Sequence, residues 1–189
     1  SYSPKKLQYG LSIIKDYIGY CQAVHNFQFP RHLFKVKKER SDSHKPLTKQ
    51  EFDLMYKSLS VNEPMSLQRK LMITLLWETG IRVGELTRLK ISDMSGGEAI
   101  IHNEKNTRSR MIAWTPKTDA LLARYLPLRR HLKSKQDWLF VSFHYYPAGK
   151  MTTRQVQRIF KDICFRVGIK EKRTPHSTRH GFVHLKLDE

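Results

Sequence analysis

The sequence predicts an α+β domain, mainly α-helical, with a small antiparallel β-hairpin or sheet. Two observations carry that prediction. Apolar residues recur at three- and four-residue spacing through most of the 189 residues, which is the period of a helix face. The period changes once, near residues 99–114, where "AIIH" and "RSRMIAW" read as short strands.

The first predicted helix covers residues 4–27. Leu7, Leu11, Ile14, Ile18 and Cys21 share a face, with Lys5, Lys6, Lys15 and Asp16 among them. A single helix needs a partner to cover that face, so residues 1–28 are expected to be the last helix of a domain whose earlier part is not in this sequence. Residues 29–46 are polar and basic and read as a linker. Lys35, Lys37 and Lys38 within it are expected either to follow a phosphate backbone or simply to solvate a connector.

The main domain is expected over 47–189. It opens at "PLTKQEFDLM", where Thr48 as N-cap and Glu51 three residues later form a capping-box signature. Phe52, Met55, Tyr56 and Leu59 give this helix an apolar face, and "VNEP" ends it. Ser66 is expected to cap the next helix. That helix carries Leu67, Leu71, Ile73, Leu75, Leu76 and Trp77, is apolar on most sides, and should be buried. Gly80 has the place of a C′ residue with positive φ. After Arg82, the residues Val83, Leu86 and Leu89 should form the inner face of a further helix.

"NEKNT" is the expected hairpin turn between the two strands. Thr115-Pro116 then starts a helix with Thr as N-cap and Pro at N1. Its core side is read as Leu121, Leu122, Tyr125 and Leu128, with a kink or split at Pro127. "WLFVS" reads as a short buried segment and "SFHYYPAGK" as a loop. Thr152 or Thr153 caps a helix bearing Val156, Ile159, Phe160, Ile163 and Val167. Arg154, Arg158 and Lys161 lie on its other faces, and Gly168 closes it. "TPHSTRHGFVHL" starts the last helix, and there is no internal repeat.

The formal net charge is +18, far beyond what solubility requires, and a polyanion is the natural partner. The charge is also segregated. Residues 1–46 hold nine Lys/Arg against three acids, 105–135 nine against one, and 150–180 nine against two, whereas 47–104 hold seven against eight. Uniform solubilising charge would not divide in this way, but a surface facing DNA would. Hydrophobic content of 39% with three Trp and nine Phe argues against disorder. Two Cys far apart, Cys21 and Cys164, argue against a disulfide framework or thiolate metal site and for a reducing, cytoplasmic setting. No signal peptide is evident, and no apolar run is long enough for a membrane span, so no membrane partner is expected.

Arg82 stands where two helical patterns meet. A buried seam disfavours a lone guanidinium, so an anion is expected to approach it. Lys105 follows 23 residues on, in the hairpin turn. His176 and Arg179 are three apart at the start of a helix and share a face. Two Arg, one Lys and one His, with no acidic metal cluster, suit a single phosphodiester. Guanidiniums grip non-bridging oxygens, a Lys on a turn can protonate a leaving oxygen, and a His can pass protons. Each piece alone says little. His-x-x-Arg is expected by chance in a chain with nine His, a turn Lys is ordinarily a solvated one, and Arg82 alone also fits a salt bridge to Glu78 or Glu85. Their order and settings together carry the weight.

These residues also carry a resemblance. "ETGIRVGELTRLKISDM" (78–94) closely resembles the first Arg box of tyrosine recombinases, the group of phage integrases and chromosome-dimer-resolving recombinases. That box reads Thr-Gly-Leu/Met-Arg-x-x-Glu-Leu-x-x-Leu-x-x-x-Asp, and Thr79, Gly80, Arg82, Glu85, Leu86, Leu89 and Asp93 match it. "NEKNTRSRMIAW" resembles the family's β-hairpin. Lys105 falls on its catalytic Lys and Arg108 and Arg110 on the basic positions after it, while Glu104 and Asn106 replace the flanking Gly residues. "TPHSTRHGF" resembles His-x-Leu-Arg-His-x-Phe and supplies His176, Arg179 and His180, with Thr178 in place of Leu.

The resemblance implies a tyrosine recombinase catalytic-domain fold over 47–189, with 1–28 as the last helix of the core-binding domain. It implies site-specific recombination or integration of double-stranded DNA through a 3′-phosphotyrosyl link, with no ATP, metal or other cofactor. Arg82 and Arg179 would stabilise the phosphorane, Lys105 would be the general acid, and His176 would assist proton transfer. Glu85 and His180 would support them, and Arg108, Arg110, Arg154 and Arg158 would bind DNA beside Lys35, Lys37 and Lys38. The family's second His/Trp and nucleophilic Tyr follow well after the second Arg, and no Tyr of this chain fits that position. The chain is therefore expected to be a fragment that holds DNA but does not cleave it alone, from a homotetrameric enzyme of bacterial, phage or mobile-element origin that acts at the nucleoid. Alternatives are a type IB topoisomerase, which uses nearly the same residues, a non-catalytic DNA-binding protein of the same fold, and a basic RNA-binding module, which lacks its aromatic signature here.

Overall fold

The computed structural model describes residues 4–25, 45–102, 109–132, 134, 136–143 and 148–187. They divide into two compact units, 1–43 and 44–189. Among the described residues, the first contains one helix, α1 (Pro4–His25). The linker lysines Lys35, Lys37 and Lys38, and the end of the first predicted helix at residues 26 and 27, lie outside the described residues.

The second unit begins with α2 (Lys49–Lys57), and its capping box is as the sequence predicts. The Thr48 hydroxyl accepts from the Glu51 N–H, and the Glu51 carboxylate accepts from the Thr48 N–H. The next helix, α3 (Pro64–Thr79), starts two residues before the predicted cap: Glu63 is the N-cap and Pro64 takes N1. The Pro has no N–H to satisfy and its φ suits a helix start, which outweighs the hydroxyl of Ser66. α3 is buried on nearly every side, as its apolar run requires, with Leu71, Met72, Ile73, Leu75 and Leu76 fully enclosed. It is the central helix and packs on α2, α5 and α7.

α3 ends at Gly80, whose φ of 57° lies in the left-handed region. α4 (Val83–Leu86) is a single turn, so Leu89, although buried, lies beyond it rather than on its inner face. A 3-10 turn (Ile91–Asp93) leads to a three-stranded antiparallel sheet, β1 (Met94–Ser95), β2 (Glu98–Ile101) and β3 (Arg110–Ala113), in the order β1-β2-β3. The sequence reading missed β1. The Gly96-Gly97 pair, both with positive φ, makes the two-residue turn that allows it. In the expected hairpin Ile101 pairs with Arg110, and Lys105 lies between them, outside the described residues.

α5 (Pro116–His131) continues through Pro127 as one helix, so the expected break is not a split. Pro127 removes a bond to the carbonyl of Ala123, but both residues are exposed, so water can satisfy the freed carbonyl. Leu128 was expected in the core but is 37% exposed. The neighbouring Arg129 is buried instead and donates to the carbonyls of Trp138, Leu132 and Gln136. Residues 139–141 are buried as predicted. α6 (Thr153–Arg166) is capped by Thr152 and Gln155, and α7 (Pro175–Leu187) closes the unit. No helix among the described residues is long and apolar enough to cross a membrane.

α7 seats on the core through close contact at Gly181. A Cβ there would stand 2.8 Å from Trp77 Cζ3 and nearer still to the Leu47 carbonyl oxygen. Trp77 cannot retreat, because it stacks on Phe52 with centroids 4.8 Å apart. Gly181→Ala is therefore expected to cost about 1–3 kcal/mol by overpacking, a fall in Tm of roughly 3–12 °C. A melt matching that of the wild type would show that this contact yields freely.

Candidate anion-binding site

The left-handed turn at Gly80 leaves its carbonyl outside the helix ladder, and Arg179 of α7 donates to it through Nη1 at 2.6 Å. Two residues after Gly80, the Arg82 N–H donates to Glu85 Oε2 at 2.8 Å, and Arg82 Nη1 to Glu85 Oε1 at 3.2 Å. Arg110, at the start of β3, donates to the same carboxylate with both Nη atoms at 2.9 Å. One carboxylate thus holds guanidiniums from two parts of the chain, and a third, from α7, bonds the adjoining Gly80 carbonyl. The expectation that Arg82 is a buried charge is corrected here: its side chain is 61% exposed, and the enclosed charge is Glu85 at 6%. Of the two acidic partners considered for Arg82, Glu85 is the one it takes. Glu78 instead accepts from Thr115 and Thr118 at the start of α5.

The electrostatics follow from this count of three guanidiniums to one carboxylate. Burial pushes the Glu85 carboxyl upward, but hydrogen bonds from Arg110 and from the Arg82 N–H outweigh it and hold it below its ordinary value. Burial lowers the pKa of Arg179, and the neighbouring charges of Arg82 and Arg110 lower it further, opposed by Glu85. The three cations therefore repel one another across a short distance, and an anion entering among them would relieve that repulsion.

α7 also carries His176 and His180, whose rings meet edge to face with centroids 4.5 Å apart. His176 is exposed and lies one turn before Arg179. Ser177 and Thr178 between them are fully buried. Thr178 donates to the Pro175 carbonyl at 2.6 Å, so the hydroxyl that replaces a Leu is satisfied within its own turn. Lys105 and Arg108 lie outside the described residues. Arg154 and Arg158 are exposed on α6, and Arg158 borders a separate groove of about 260 Å³ with Met65, Arg69, Phe143, Met151 and Asp162. Arg110, expected to bind DNA, commits two of its five N–H donors to Glu85.

Lys70, Arg129 and Arg173 are buried among carbonyls and carboxylates, so not every cation in the basic stretches faces solvent. The sequence reading also passed over Arg173 and treated Glu51 only as a cap. No local pattern shows that these two residues meet.

With this fold and this cluster in place, the chain belongs to the phage integrase family, which residues 45–185 match, and its second unit has the tyrosine recombinase catalytic-domain fold. It is 31% identical over 148 residues to tyrosine recombinase XerD of Listeria innocua, covering 75% of this chain and 48% of that protein. It is 30% identical over 127 residues to tyrosine recombinase XerC of Thermodesulfovibrio yellowstonii, covering 63% and 41%. The chain thus spans about half the length of these relatives. Among solved structures, the Tn1549 transposon integrase in complex with a circular intermediate DNA superposes with a TM-score of 0.75 at 16% identity, over 96% of this chain and 66% of that one. The lambda integrase bound to DNA gives 0.67 at 19%, over 94% and 63%. These likenesses show the fold.

Proposed function

We propose that this chain is the phosphate-binding part of a site-specific DNA recombinase. The observation that carries the reading is the gathering of Arg82, Arg110 and Arg179 around Glu85 and the Gly80 carbonyl. Arg82 and Arg179 take the two non-bridging oxygens of one DNA phosphate and stabilise the added negative charge of the phosphorane. In the intact protein a nucleophilic Tyr attacks phosphorus. The P–O bond to the 5′ carbon's oxygen breaks, and a 3′-phosphotyrosyl link forms. Lys105 supplies the proton to the departing 5′ oxygen, and His176 assists proton transfer. The 5′-hydroxyl of a partner strand reverses the step with no net loss of bond energy, so neither ATP nor a metal is required. His180 supports Arg179 from the same helix, and the exposed Arg154 and Arg158, with Arg108, Lys35, Lys37 and Lys38, follow the duplex backbone. A homotetramer on paired sites completes the reaction, in the cytoplasm.

The test is duplex DNA binding followed by fluorescence anisotropy across a salt series. With about 6–10 phosphates neutralised, affinity should fall by about 10³–10⁵ between 50 and 200 mM salt. A flat response would remove the polyanion from the reading.

A further inference from the structure

α7 carries Arg179 and His176, and a strap of chain ahead of α2 determines where α7 sits. The Leu47 N–H donates to the Ser177 carbonyl at 2.9 Å, in the first turn of α7. The Leu47 carbonyl oxygen lies against Gly181 one turn later, and Phe182 covers Gly80. Leu47 is itself 2% exposed. The strap is fixed to the loop before α7 by Arg173, which stands two residues ahead of Pro175. Its side chain is 6% exposed. Nε donates to both oxygens of Glu51 at 3.1 Å, and Nη2 donates to Oε1 at 2.9 Å. The same Glu51 carboxylate accepts from the Thr48 N–H at 2.9 Å. Arg173 Nη1 faces Glu171 Oε2 at 2.9 Å without hydrogen-bond alignment. Glu171 also meets Lys45 on the strap at 3.1 Å.

A buried fork of this kind is weak evidence for stability, since well-packed apolar residues often serve as well. What it supplies is direction. Arg's planar donors admit one relative placement of two backbones, whereas an apolar pair admits several. The two backbones here are the first turn of α2, tied through the Thr48 N–H to the strap that holds Ser177 and Gly181, and the loop that leads into α7. From this geometry we infer that Arg173 is a positioning residue for the anion pocket: through its fork to Glu51 it sets α7 so that Arg179 reaches Gly80 and faces Arg82. The inference rests on the reading of Arg82 and Arg179 as an anion clamp, and it extends that clamp to a residue that touches no ligand.

The experiment uses the whole chain with Arg173→Met, Arg173→Lys and Glu51→Gln, each measured three ways: by thermal melt, by titration with vanadate, and by the Nε–Hε NMR signal of Arg179. Arg173→Met is expected to bind vanadate about tenfold more weakly and to shift or broaden the Arg179 signal. Arg173→Lys, which restores the charge without the fork, should recover only part of both. Vanadate affinity within twofold of wild type with an unmoved Arg179 signal, whatever the melt, would reduce Arg173 to a structural residue. Should Arg173→Met not fold, Arg173→Lys and Glu51→Gln decide by the same two readings. If the wild-type chain itself ignores vanadate, it is the clamp that fails. The Arg179 signal still reports whether the fork sets the helix.

Discussion

Arg179→Ala is expected to weaken vanadate or sulfate binding by about 10- to 100-fold while the chain stays folded. The magnitude follows from losing one charged hydrogen-bonding partner, worth about 1.5–3 kcal/mol. The fold should survive because Arg179 contributes two opposed effects in the empty protein. Its bond to the Gly80 carbonyl stabilises the junction of α3 and α7, while its charge is repelled by Arg82 and Arg110. Removing it loses the first and relieves the second. Arg179→Lys separates charge from geometry, since an ammonium keeps the field of the pocket but cannot bridge Gly80 and a bound oxyanion as a fork does. Calorimetric titration with vanadate beside a thermal melt checks both parts. If Arg179→Ala kept wild-type anion affinity, α7 would have no place in the clamp.

The parts of this molecule that were legible in the sequence are those governed by local rules. Thr48 and Glu51 form their reciprocal cap because both partners lie within one turn. Gly80 ends α3 with positive φ because the apolar run before it stops there. Thr152 starts α6 by the same kind of reciprocal cap with Gln155, and Thr115-Pro116 starts α5 with Pro at N1. The misses occur where local signals compete or where the partner is distant. Ser66 and Pro64 both mark a helix start, and the Pro prevailed. Pro127 breaks helices whose freed carbonyl is buried, and here it faces water. Arg129 is buried where Leu128 was expected to be, because the carbonyls of Leu132, Gln136 and Trp138 accept from its guanidinium on that side of α5.

The candidate site shows the same division. Motif order brought Arg82, His176 and Arg179 forward as candidates, and Arg82 and Arg179 do come together. The bond from Arg110 to Glu85 spans 25 positions and the fork from Arg173 to Glu51 spans 122. Both depend on strand register and helix seating, which no window of sequence contains.

Glu85 gives the second large expected effect, because two cations depend on a single buried carboxylate. Glu85→Gln keeps the shape but leaves Arg110 and Arg82 without their counter-charge. Breaking a fully buried pair costs about 3–5 kcal/mol. Arg110 is 39% exposed and Arg82 61%, so water recovers part of the loss, and about 2–3 kcal/mol is expected from urea unfolding at neutral pH. The pH dependence makes the origin testable. The folded-state pKa of Glu85 lies below its ordinary value of 4.5, so the unfolded chain takes up its proton first as the solution is acidified. The stabilisation is complete above pH of about 4.5 and is lost as pH falls through the lower folded value. Gln does not titrate, so the stability gap between wild type and variant should stand constant above that range and close within it. A gap that persisted unchanged into acid would mean that the protonated carboxyl supports the fold as well as the carboxylate does, and that its charge is not what gathers the guanidiniums.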